Sequence, residues 1–143
     1  MEEAVRALFV RYQRSFAQGL DGRADLDEVA GFYAAEFIAA DTRGVMSGKN
    51  DQNLKEVMAK GYAHYRDSGV KLMIARSLKV NQLDGSHCIA TVAWRATYAR
   101  PRKSDVDIDF DVHYLLENTS GQPKIFGWVS GDEQAALDAH GIG

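Results

Sequence analysis

Cysteine is nearly absent from this sequence: the single Cys88 can close no internal disulfide and has no second thiolate for a zinc site. It reads as a packing residue, since nothing around it resembles a thiol-enzyme signature. No apolar run approaches the roughly 20 residues that a membrane-spanning helix needs. The opening MEEAVRAL is acidic and amphipathic rather than a charged-then-apolar secretion signal, so the expected compartment is the cytoplasm, with no membrane partner. A basic excess is missing as well, with 17 Lys+Arg against 20 Asp+Glu and a formal charge of −3. Nucleic-acid binding needs a basic face and is not expected; the turn carrying Arg100, Arg102 and Lys103 is too short to supply one. No phosphate-cradling glycine loop is present. Metal-ligand spacing is lacking too, because His64, His87 and His140 fall on a helix face, a turn and the last helix. No metal and no cofactor are therefore expected.

What is present suits one domain over residues 1–143, with 45% apolar and 26% charged residues and length enough to bury a core without staples. Val5, Leu8, Phe9, Tyr12 and Phe16 recur at helical spacing over residues 2–18, and Gly19 is the expected stop. Asp25-Leu-Asp-Glu28 reads as a capped start of a short helix that carries Val29, Phe32 and Tyr33 inward. Residues 36–48 form two short extended pieces broken at Arg43-Gly44, a small hairpin. Residues 50–67 are helical again, with Leu54, Val57, Met58, Gly61, Tyr62 and Tyr65 on one side and Gly69 as the stop. Strands follow at 70–83, 87–99, 105–117 and 123–130, and Ser130-Gly-Asp-Glu133 reads as a capping box opening a last helix that Gly141 closes.

Helices followed by a run of strands define an α+β fold, with helices covering one face of an antiparallel sheet built from a short hairpin and a four-strand meander. In the third long strand Val106, Ile108, Phe110, Val112, Tyr114 and Leu116 alternate with Asp105, Asp107, Asp109, Asp111 and His113, so the apolar row faces the core. Pairing Tyr98 with Val106 across the 100–104 turn sets Trp94 opposite Phe110 and Arg95 opposite Asp109, with His113 near Thr91 on the outer face. The facing of strand 70–83 stays open, because two- and three-residue turns at Asp84-Gly85 turn its apolar row in opposite directions.

Phe37-Ile-Ala-Ala-Asp41 with Gly44 and Gly48 resembles the first hairpin of the nuclear-transport-factor-2-like superfamily of cystatin-like α+β cones. Ile125-Phe-Gly-Trp128 followed by Asp132-Glu133-Gln134-Ala135 is similar to that superfamily's last strand and C-terminal helix. Within the superfamily the chain looks like the SnoaL-like group, which includes polyketide cyclases and ketosteroid-isomerase relatives. The resemblance implies a curved sheet wrapped around a long helix, an apolar pocket inside the cone, and homodimers through the outer sheet face. The scaffold carries enzymes, binding modules and partner-binding proteins alike, so it does not name a reaction.

The candidate site follows from the inward rows. Tyr12, Phe16, Tyr33, Phe37, Tyr62, Tyr65, Trp94, Phe110, Tyr114 and Trp128 are the candidate ligand-binding residues. They either fill an ordinary core or leave a cavity whose hydroxyls and indole N–H orient a small apolar or aromatic molecule. Tyr33, Trp94 and Tyr114 lead that set. Asp41 shares a strand face with Phe37; pointing into the cone it would be desolvated and suited to act as a general base, whereas bonded to the turn before Gly44 it would be structural. His113 lies on the outer row by alternation, and only a β-bulge would bring it inward as an acid-base partner of Asp41 or a tyrosine. The four outer aspartates stand about 7 Å apart along the strand and do not converge as a calcium loop must. No second carboxylate or histidine falls inward beside Asp41, which favours a small-molecule-binding domain. The alternative is an isomerase, cyclase or dehydratase using Asp41 or His113, and a protein-partner module using the outer face ranks last.

Overall fold

The computed structural model describes residues 1–139; His140 and Gly141, assigned above to the end of the last helix, lie outside the described residues. Helix α1 runs Glu2–Leu20, α2 Leu26–Ala30 and α3 Gln52–Asp67, and a short α4 spans Glu133–Ala139. The strands are β1 Tyr33–Asp41, β2 Gly44–Lys49, β3 Val70–Gln82, β4 His87–Arg100, β5 Lys103–Glu117 and β6 Lys124–Ser130. They form one curved, unclosed six-stranded sheet in the order β2-β1-β6-β5-β4-β3. The expected hairpin and meander are both there, and they join through β1 and β6, which run parallel. The connection between those two strands is β2, α3 and the strands β3–β5, so nothing forces them to be antiparallel.

Local chemistry places the helices. The Asp25 carboxylate accepts from the backbone N–H groups of Asp27 and Glu28 at 3.1 and 3.2 Å, starting α2 where the sequence indicates. Asp51 caps α3 in the same way, accepting from Asn53 and Leu54. Gly69, at φ +95°, supplies the left-handed turn after α3 that a side chain would resist. Two expected boundaries move. α1 does not stop at Gly19 but continues to Leu20, because Gly19 is a buried contact residue against Tyr62 rather than a terminator. The cap of α4 is Asp132, whose carboxylate accepts from the Ala135 N–H at 2.9 Å; Ser130 belongs to β6, its hydroxyl directed at the Ala40 carbonyl.

The β4–β5 register is the expected one, with Tyr98 opposite Val106, Trp94 opposite Phe110 and Arg95 opposite Asp109. The open question about β3 has an answer that neither turn length alone provides. Met73 and Ala75 pair with Ala96 and Trp94, a bulge intervenes at Arg76, and Leu78 and Val80 then pair with Val92 and Ala90. One extra residue shifts the side-chain parity, so the inward row switches from odd to even numbers within one strand. Gln13 on α1 holds the bulge, its side-chain oxygen accepting the Ala75 N–H at 2.9 Å, and Arg6 donates to the Leu78 carbonyl. The core lies between α1 and the inner face: Val5, Leu8 and Phe9 are buried together with Cys88, Ala90, Val92, Leu116 and Ile125. Full burial of a side chain such as Leu8 or Leu116 contributes about 1.5–3 kcal/mol.

Candidate functional site

At the wider end of this core the packing does not close. Tyr12 and Phe16 are one turn apart on α1, Met58, Tyr62 and Tyr65 share a face of α3, and Tyr33 opens β1. The inner sheet face supplies Met73, Trp94, Phe110, Val112, Tyr114 and Trp128, with Trp94 opposite Phe110 and Tyr114 opposite Trp128. Together they line a cavity of about 260 Å³ that is open on one side. Gly61, on the α3 face toward it, has no atom within 4 Å of where a β-carbon would stand. A larger residue there would occupy space that is now empty.

The polar atoms in this aromatic lining are tied to one another. The Trp94 indole N–H donates to the Tyr114 hydroxyl oxygen at 3.1 Å. Tyr114 in turn is hydrogen-bonded to Tyr12, and the Tyr12 and Tyr33 hydroxyls are 3.2 Å apart. An indole only donates, so the Tyr114 proton is available to Tyr12. Burial is the main cause that pushes the phenols of Tyr33 and Tyr114 well above their ordinary value, and the bond to Tyr12 pushes both in the same direction. Either hydroxyl of the Tyr12–Tyr33 pair can be the donor, and Tyr12 stands at the centre of the chain. Burial also raises Tyr62. The cavity therefore presents neutral hydroxyls in an apolar shell, which orient a bound polar atom without placing a charge beside it.

All the expected ligand-binding residues except Phe37 line this cavity. Phe37 stands beside it, stacked on Trp128 with ring centroids 5.3 Å apart, in a groove between α3 and the β1–β2 hairpin. Val57, Met58, Gly61, Met73, Val112 and Ser130 also line the cavity and were not singled out for it. The α3 members sit on the apolar stripe visible in the sequence, whereas Met73 is hidden by the β3 bulge.

Asp41 and His113 are not in the cavity. The Asp41 carboxylate is bound in the hairpin turn, accepting from the Arg43 backbone N–H at 2.8 Å and from the Arg43 guanidinium at 2.6 and 3.0 Å. Those bonds hold its pKa below the ordinary carboxylate value, the opposite of what a desolvated general base requires. The expectation that Asp41 follows Phe37 into the cone gives way to the turn-bonded arrangement, because the strand ends there and the guanidinium is adjacent. His113 faces outward, its Nδ1 2.8 Å from the Thr91 hydroxyl, and the register from His87 to Tyr98 runs without the bulge that would turn it in. Two of the four outer aspartates are ion-paired within the chain, Asp109 with Arg95 at 2.8 and 3.1 Å and with Arg76, and Asp105 with Lys71, while Asp107 accepts from the Thr97 hydroxyl. Among the described residues no group of three His, Cys, Asp or Glu side chains is arranged to hold a metal, and no helix is long and apolar enough to cross a membrane.

A curved, mostly antiparallel sheet folded over a long N-terminal helix, with an aromatic cavity at one end, defines the class of cystatin-like α+β domains. The chain belongs to the family described as NTF2-like protein (DUF6841), which it matches over residues 2–133. Solved structures share the fold. An NTF2-like protein with a cystatin-like fold from Novosphingobium aromaticivorans superposes with a TM-score of 0.69 at 13% identity, over 96% of this chain and 86% of that one. A ketosteroid isomerase-like protein from Erwinia carotovora atroseptica gives 0.59 at 15% identity over 92% of each chain. A putative calcium/calmodulin dependent protein kinase II association domain from Xanthomonas campestris gives 0.60 at 17% identity, over 89% of this chain and 84% of that one. Identities this low establish a common fold alone. No curated protein matches the chain in sequence.

Proposed function

We propose that the protein binds one small, largely apolar or aromatic molecule in the cavity, oriented by an oxygen that accepts a hydrogen bond from the tyrosine cluster. The observation that carries this reading is the Trp94–Tyr114–Tyr12–Tyr33 chain of hydrogen bonds lining an unfilled space of about 260 Å³. Ligand pockets are typically roughly 300–1,000 Å³, so the occupant of the cavity itself is ring-sized. A core built only for packing would be filled, since voids of this kind forfeit contact energy. The acid-base alternative has less support, because Asp41 and His113 lie outside the cavity; an enzyme built on this site would have to work through tyrosine hydroxyls.

The chain is also proposed to act as a homodimer through the outer sheet face. Ile38 and Leu115 flank the bare Gly127 there, and the exposed Val129 follows two residues on along β6, opposite His113. Sedimentation of the purified protein tests this directly, and a monomer at high concentration would remove it.

Binding is tested by calorimetric titration with phenol and simple cyclic ketones, on the native protein and on Gly61→Leu. The leucine projects from a helical position where a β-carbon meets nothing, so it fills the cavity without disturbing the core. Binding to the native protein that is lost in Gly61→Leu supports the reading. No binding, or equal binding by both proteins, ends it.

A further inference from the structure

A second space adjoins the cavity. Val57, Met58 and Trp128 line it and also line the groove of about 830 Å³ between α3 and the β1–β2 hairpin. The floor of that groove is the Phe37 ring stacked on Trp128. Gly48 lies opposite Phe37 in the hairpin, where a β-carbon would come within 2.6 Å of the ring, so the floor is flat and bare. Met46 is 72% exposed and Val57 53% exposed along its sides, an unusual amount of apolar surface left to water on one short stretch. The nearby Asp51 carboxylate is already engaged in capping α3. The groove thus has an apolar floor and an apolar wall on the cavity side, with Glu36, Lys49, Asp51 and Asn53 along its rim, and it shares three side chains with the tyrosine-lined cavity.

We propose that the natural ligand is elongated, with a ring-sized, oxygen-bearing head in the cavity and an unbranched apolar tail running past Val57, Met58 and Trp128 into the groove. This rests on the cavity reading and adds a substrate class to it: an amphiphile with an alkyl or acyl chain rather than a compact ring. Shared walls favour this over a protein occupant, because one elongated molecule that follows Val57, Met58 and Trp128 contacts both spaces, whereas a partner covering the surface reaches the groove alone. A tail lying on Phe37 and Met46 is shielded on one side by the hairpin and on the other by α3.

The test is a series of 4-alkylphenols, from phenol through 4-ethylphenol to 4-hexylphenol, titrated below their aggregation concentrations into the native protein and into Met46→Glu. Met46 is in the groove and outside the cavity, and its exposed position keeps the fold intact, which circular dichroism checks. Each methylene buried contributes about fourfold in affinity. The expected result is a progressive gain with chain length in the native protein and a flattened series in Met46→Glu, with phenol itself bound equally by both. If phenol binds but the chain adds nothing, or the gain persists unchanged in Met46→Glu, the tail inference fails while the cavity reading stands. If neither phenol nor any alkylphenol binds, both fail together. Concentration-dependent self-association that Met46→Glu abolishes, with no chain-length dependence, assigns the groove to a second copy and overturns the proposal.

Discussion

Gly19 on α1 lies so close to the Tyr62 ring on α3 that a β-carbon at position 19 would stand 2.6 Å from the ring's Cδ1 and Cγ and 2.8 Å from its Cδ2. The two helices approach at this point because one of them has no side chain there, and Arg66 secures the same junction by donating to the Gly19 carbonyl. Gly19→Ala must displace a buried ring or shift α3, and overpacking of that kind costs about 1–3 kcal/mol. Gly61 is the internal control. It lies in the interior of α3, whereas Gly19 is in the last turn of α1, and a β-carbon there meets nothing, so Gly61→Ala should stabilise by about 0.5–1 kcal/mol through backbone entropy alone. Urea unfolding of the two variants should therefore shift in opposite directions, and a shift in the same direction would contradict the packing described.

Ser15 makes a second stability prediction. It is 1% exposed on α1 and its hydroxyl has no hydrogen-bond partner among the described residues. A buried unsatisfied hydroxyl costs free energy that alanine does not, and alanine is also the better helix former. Ser15→Ala should raise stability by about 1 kcal/mol, which for a domain of this size moves the thermal midpoint upward by about 3 °C. An unchanged or lowered midpoint would mean the hydroxyl has a partner, such as a bound water.

These local features differ in how far the sequence discloses them. Alternation along residues 105–117 is enough to face Trp94 with Phe110 and Arg95 with Asp109, because a strand with one buried face has one register that buries it. The same rule fails for β3, where one bulged residue resets the parity and no residue type at Arg76 announces it. Gly19 reads as a helix stop because glycine often is one; that it serves a contact with a residue 43 positions away depends on tertiary packing. The aromatic lining is legible as inward rows, but whether those ten side chains fill their space or leave a cavity depends on volumes that spacing does not encode. Asp41 illustrates the limit: its strand parity is readable, yet the guanidinium two residues on decides where its carboxylate goes.

The Arg95–Asp109 pair predicts a specific acid response. The Arg95 guanidinium, with Arg76 behind it, holds the Asp109 carboxyl below its ordinary value of 3.8. A carboxyl depressed in the folded state contributes stability above its unfolded pKa and loses it as pH falls through the lower folded value. Asp109→Asn should flatten the acid limb of stability against pH and leave the alkaline side unchanged. The neutral-pH effect should be small, since both side chains are 38% exposed. A double-mutant cycle with Arg95→Ala should give a small coupling that shrinks with added salt. A salt-independent coupling above about 2 kcal/mol would instead require a pair sealed from solvent, for instance by a second copy over the outer face.

The tyrosine cluster predicts the opposite limb. Tyr33 and Tyr114 are neutral in the fold with pKa values well above 10.0, first because they are buried and then because each is bonded to Tyr12. A phenol raised in the folded state contributes stability that is complete below its unfolded pKa and drains away as pH rises from there through the folded value. Stability should therefore fall steeply above about pH 10. Ultraviolet titration of the native protein should show Tyr33 and Tyr114 ionising only with unfolding. Tyr33→Phe and Tyr114→Phe each remove one late-ionising phenol and so reduce the absorbance step that accompanies the transition. Tyr114→Phe also strands the Trp94 N–H, so it alone should cost about 1–3 kcal/mol at neutral pH and alter the tryptophan emission. Should Tyr33 and Tyr114 instead ionise reversibly near pH 10 in the folded protein, the cluster is open to water, and the neutral hydroxyl site on which ligand binding was proposed does not exist.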